Sequence, residues 1–196
     1  MRFLKFLTAF GFAAFLAGCI TAEKPTLSLE ERRALQLTAA HVEFTPDARV
    51  HVSPIEDQEA ARGATREQIA EVEKSHIRAV VSSDFMAVVG SRLNGTRPVA
   101  ARITIKYFNV PGAVAAVLGG STSSGLIAGV DLVDVKTGQT LVSAPPGKIT
   151  SEVYRPAGVL GLVMQAASAK DPVDTKVHEM AQKFAAEYAG WVTSNN

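Results

Sequence analysis

The chain has 196 residues, 47% of them hydrophobic, with 20 Lys and Arg against 19 Asp and Glu and a formal net charge of +1. No basic block of the kind a nucleic-acid surface needs is present, so neither DNA nor RNA is an expected partner. The single cysteine, Cys19, leaves no internal disulfide to form, so a hydrophobic core has to hold the fold, and one domain of this length suffices for that.

Residues 1–18 have the three-part layout of a secretory signal. Arg2 and Lys5 give a positive start, Phe6 to Leu16 are apolar except for Thr8, and Ala17 and Gly18 are small. A membrane-crossing helix needs ~20 apolar residues, so this shorter run reads as a targeting segment. Leu16-Ala17-Gly18-Cys19 resembles the lipobox of bacterial lipoproteins. The resemblance implies cleavage before Cys19, acylation of its thiol, and the lipid bilayer as a partner through acylated Cys19. Ile20, rather than aspartate, follows the cysteine, which by the same resemblance implies the periplasmic face of the outer membrane. Removing the signal takes away Arg2 and Lys5 and leaves 178 residues with a net charge of about −1.

Ile20 to Thr26 read as a tether. Ser28 with Glu31 is a capping box that starts a brief helix through Leu35, and the folded domain is expected to begin near Leu37. The expected division is a lipoprotein signal peptide over 1–18, a lipidated tether over 19–36 and a single α/β periplasmic domain over 37–196. In "HVEFTPDARVHV", Val42, Phe44, Val50 and Val52 alternate with polar residues, which predicts two strands or one strand interrupted around Pro46 and Asp47. His41 and His51 fall on the polar alternation. A charged loop follows, and then Thr65 and Gln68 form a capping box for a long helix. Its apolar face holds Ile69, Val72, Ile77, Val80, Val81, Phe85, Val88 and Val89 through about Leu93, with a break at Asn94-Gly95-Thr96.

"ARITIKYF" predicts a strand with Ile103, Ile105 and Tyr107 on one face. "LIAGVDLVDV" is apolar on both alternations, which predicts a central strand covered on both sides. Lys136-Thr137-Gly138-Gln139 turns the chain into a hairpin partner at Thr140 to Ser143, and Pro145, Pro146 and Gly147 are expected to end that ladder. Asp171 and Pro172 fit the start of a last helix with Asp174 in its first turn. Val177, Met180, Ala181, Phe184, Tyr188, Trp191 and Val192 form its buried stripe, with Lys183 and Glu187 on the opposite side. The fold class expected is α/β (α+β), a mixed sheet of about four or five strands packed by two long amphipathic helices.

The stretch "DLVDVKTGQTLVS", with the glycine-rich segment before it and the amphipathic helix after it, looks like several families of small envelope lipoproteins. They include the periplasmic domain of the curli-secretion lipoprotein and the lipoprotein activators of penicillin-binding proteins. The resemblance implies a mixed sheet with helices, acting by binding other envelope components. No pair of ~10-residue alternating segments is left over for a membrane barrel, so a secretion pore is not expected.

The residue patterns identify no catalytic group, cofactor or metal site. "GGSTSSG" at Gly119 to Gly125 lacks the Lys of a P-loop and fits no dinucleotide fingerprint or nucleophile elbow. His41, His51, His76 and His178 show no close-spaced ligand pair, and Asp131 and Asp134, three apart on a strand, point to opposite faces. The expected function is that of a noncatalytic, lipid-anchored binding or scaffold lipoprotein of the envelope, an adaptor or assembly factor with an envelope protein as partner. The alternative is a carrier or sensor of a lipid or glycan fragment, suggested by "PGAVAAVLGG" and "PAGVLGLVMQAAS". A hydrolase would require clustered polar residues in a deep pocket.

Overall fold

A computed structural model describes residues 27–112, 123–153 and 173–194. Its elements are α1 (Leu29–Arg33), β1 (Leu35–Val52), α2 (Ser53–Ala61), α3 (Arg66–Gly90), β2 (Arg97–Val110), β3 (Ser124–Asp134), β4 (Thr140–Val153) and α4 (Val173–Thr193). The lipobox, both small-residue stretches and the Asp171-Pro172 helix start lie outside the described residues, except for Pro111 and Gly112.

The sheet is mixed and four-stranded in the order β1-β2-β3-β4, so the expected fold class holds. The β1–β2 pair is parallel because α2 and α3 carry the chain across between them, whereas the next two pairs are antiparallel. Helices α3 and α4 pack on one another and on the same sheet face. Between the layers lie Val99, Ala101, Ile103, Ile105 and Phe108 of β2, Leu126, Ala128, Val130 and Leu132 of β3, and Phe85, Phe184 and Tyr188 of the helices. The Phe85 ring centroid lies 5.2 Å from that of Tyr188 and 6.4 Å from that of Phe184.

The folded part starts ahead of Leu37. The Ser28–Glu31 capping box forms as expected, and the helix behind it buries Arg32, which donates to the Val192 carbonyl of α4 at 2.6 Å. Leu35 is already fully buried. Gly95 is required here, since a Cβ at that position would stand 2.3 Å from the Ala34 carbonyl oxygen.

Local irregularities account for the other departures. Around Pro46 and Asp47 the chain is one strand, with pairing to β2 lapsing between Phe44 and Arg49. Opposite that lapse β2 carries a bulge between Ile105 and Tyr107, which reverses the alternation: Phe108 enters the core and Tyr107 turns outward. The charged loop after β1 is the helix α2, with a proline in its first turn. On α3 the inward slot between Ile69 and Ile77 belongs to Glu73, while Val72 is 42% exposed. β4 does not end at its prolines. As an edge strand it runs through them to Val153, where an absent N–H costs no ladder bond, and Pro146 lies against Gly129 at a register break.

For β3, expected to be covered on both sides, the described residues supply helices to one of them. Both long helices lie on one face, and among the described residues the other face carries none.

Candidate functional site

The uncovered sheet face is built from the alternate residues of the four strands. One cross-strand row runs His41, Arg102, Asp131 and Ser143, in which the Ser143 hydroxyl donates to Asp131 at 2.6 Å. A second row runs Arg49, Tyr107, Ile127 and Thr150. The bulge turns the Tyr107 ring over Gly125, where an added Cβ would stand 3.1 Å from the ring; the glycine leaves that space open.

Two cavities meet at Tyr107 and Ile127. One, of about 350 Å³, is bounded by Ser123, Gly125, Thr150 and Glu152; the other, of about 420 Å³, by Asp47, Arg49 and Lys106. Together they form a groove with an aromatic floor, cationic at one end and bearing Glu152 with hydroxyls at the other. Asp47, at the cationic end, is held below the usual carboxylate range by the nearby Thr45 hydroxyl and, to a smaller extent, by the charges of Lys106 and Arg49.

At the edge of this face β1 passes into α2. The Val52 N–H donates to Glu73 Oε1 at 2.6 Å, which anchors the junction to α3. Burial raises the Glu73 carboxyl above its ordinary pKa, and the Val52 hydrogen bond offsets this in part. Just beyond, Ser53 Oγ lies 2.8 Å from His51 Nε2, and His51 Nδ1 lies 3.2 Å from Glu56 Oε2. Sequence reasoning missed this cluster, because it treated His51 as strand alternation and Ser53 and Glu56 as loop. The short spacing of a histidine, serine and glutamate at a strand-to-helix junction was the available signal.

The other residues singled out from sequence fall as follows. Cys19, Leu16, Ala17 and Gly18 lie outside the described residues, as do Gly119 to Thr122 of the glycine-rich segment. His41 and His51 share one strand, ten residues apart, and do not approach each other across a pair of strands. His178 Nδ1 lies 2.7 Å from Asp84 Oδ2, joining α4 to α3. Asp131 and Asp134 do face opposite ways. Asp134 is buried, accepts from Arg97 at 2.9 Å and from the Lys136 and Thr137 N–H groups, and the Arg97 guanidinium holds it below the usual range. It closes the β3–β4 turn, where Gly138 adopts φ +72°. Among the described residues no three His, Cys, Asp or Glu side chains converge as metal ligands, and no helix is long and apolar enough to cross a membrane.

No protein-family model matches the chain, and no curated protein matches it in sequence. Solved structures that match include two forms of the PelC dodecamer from Paraburkholderia phytofirmans. They are 9% and 10% identical, aligned over 84% of this chain and 92% and 93% of theirs, with TM-scores of 0.36 and 0.35. The likeness is distant.

Proposed function

We propose that the chain is a lipid-anchored lipoprotein of the bacterial envelope, held to the periplasmic face of the outer membrane through acylated Cys19, where it serves as an adaptor or assembly factor. In this reading the uncovered sheet face works by binding an envelope protein. The observation that carries it is the lipobox Leu16-Ala17-Gly18-Cys19 behind a charged, apolar signal run, since only a thiol there accepts a diacylglyceryl group. The Tyr107 groove supports it, because a rigid sheet with a half-buried aromatic at its centre offers area at low entropic cost. Metabolic labelling with a palmitate analogue tests the anchor: label is expected on the parent and lost in Cys19→Ser, and equal labelling of both refutes it. A photo-crosslinking residue at Ile127 tests the face. A discrete crosslinked envelope protein is expected, and crosslinks no stronger than those from a residue at exposed Glu71 count against it.

A second reading, a carrier of a glycan or lipid fragment, is favoured by the groove itself, whose aromatic floor and flanking Arg49, Lys106 and Glu152 suit a polar, ring-bearing ligand. Native mass spectrometry of the purified protein distinguishes the two, since a carrier retains ligand mass.

A further inference from the structure

The junction of β1 and α2 carries more than a surface for binding. The Glu56 carboxylate, 3.2 Å from His51 Nδ1, favours the imidazole proton on that nitrogen by its charge and so leaves Nε2 as the acceptor toward Ser53. The Ser53 hydroxyl then donates to Nε2 across 2.8 Å. This order of hydroxyl, imidazole and carboxylate is the one that activates serine on several unrelated folds. We propose that Ser53, His51 and Glu56 form an acyl-transfer site that hydrolyses short-chain carboxylic esters, with Ser53 as nucleophile, His51 as base and acid, and Glu56 as positioning residue.

Three features of the surroundings agree with that assignment. Ser53 is the first residue of a nine-residue helix whose start has no side-chain cap, so the N–H groups of its first turn have no side-chain acceptor and the helix end favours negative charge developing beside it. The junction is fixed from below by the Val52–Glu73 hydrogen bond and from the side by Gly112, where a Cβ would stand 3.0 Å from that of Ser53. Glu56 and Glu73 both interact favourably with a protonated His51, the species that forms as the serine proton moves.

In the reaction the Ser53 oxygen adds to the ester carbonyl carbon while its proton passes to His51 Nε2. The carbonyl–alkoxy bond then breaks, and the alcohol leaves with that proton. Water adds to the acyl-serine with His51 again taking a proton; the Ser53 oxygen departs, recovers the proton, and the free acid leaves. The side chains of His51 and Glu56 are 51% and 50% exposed, so the cluster lies at the open surface rather than in the deep pocket that sequence reasoning required of a hydrolase, and it suits small acyl groups such as acetyl rather than long chains that need an apolar slot.

The proposal goes beyond the binding role and does not depend on it. Its test uses the full-length lipoprotein in detergent micelles, a fluorophosphonate probe and p-nitrophenyl acetate. Probe is expected on Ser53 by peptide mass spectrometry, with ester turnover lost in Ser53→Ala and reduced by about 100-fold in His51→Gln. Glu56→Ala should slow labelling and Glu56→Asp restore part of the rate, a rescue that a purely structural role would not produce. Thermal melts of each variant confirm folding, and a variant that does not fold is replaced by Ser53→Thr or His51→Asn. No labelling of the folded parent, labelling elsewhere, or labelling of Ser53 that is indifferent to His51→Gln would overturn the proposal.

Discussion

The two faces of the sheet come from alternate residues of the same four strands, yet they have opposite fates. Under α3 and α4 the rows are mostly aliphatic or aromatic and buried, partly so at Val42 and Phe44 of the edge strand, whereas on the other face His41, Arg102, Asp131 and Ser143 stand in one row and Arg49, Tyr107, Ile127 and Thr150 in another. A sheet needs only one covered face to gain a core, and the second is free to take up other work. The bulge at Lys106 joins the two demands. It sends Phe108 inward, where burial contributes ~2–3 kcal/mol, and turns Tyr107 out into the groove.

The sharpest test of this contrast pairs one aromatic from each side. Phe184→Ala, which removes a fully buried ring packed on Phe85, is expected to cost about 3–5 kcal/mol, against about 1 kcal/mol for Tyr107→Ala, both read from denaturant melts. Similar losses would mean that both faces are core. Next in size, Arg32→Ala strands the Val192 carbonyl at the α1–α4 contact and should cost about 1–3 kcal/mol. Removing residues 1–36 should destabilise similarly or more, and indifference to both changes would restore the tether boundary near Leu37.

Glu73→Gln is a smaller change with a definite sign. Its folded pKa lies above the ordinary 4.5, so the folded state binds more protons than the unfolded state between the two values, and stability falls as pH rises through that window. The amide still accepts from Val52 N–H without the cost of a buried charge. Melts from pH 4 to pH 8 should therefore show Glu73→Gln gaining on the parent as pH rises; a gap that is constant with pH would mean the carboxyl is not buried in solution. The smallest effect, no more than about 0.5 kcal/mol, is expected for Arg102→Ala on the uncovered face, and a larger loss would mean that its row contributes to the fold.

The stripe of α4 was legible because helical spacing alone selects Val177, Met180, Ala181, Phe184, Tyr188 and Val192, all of them buried, while Trp191 of the same stripe is only half-buried, beside the Tyr188 ring. The capping boxes at Ser28 and Thr65 were legible for the same reason, being local rules of hydrogen bonding. The outer side of α4 was read less well. Glu187 is half-buried and accepts from Ser151 at 2.9 Å, and Lys183 donates to the Glu152 carbonyl, contacts made by a strand some thirty residues away in the chain.

Sequence by itself thus determined what depends on near neighbours: the capped helix starts at Ser28 and Thr65, most of the stripe of α4 and the β3–β4 turn. Tertiary structure alone decided that Glu73 displaces Val72 from the inward row, that Tyr107 leaves the core, and that both long helices pack on one face of the sheet. Hydrophobic period says which residues prefer burial, but which face finds a partner, and where a bulge reverses the alternation, depend on pairing across dozens of residues. That pairing is set by the whole packed sheet at once.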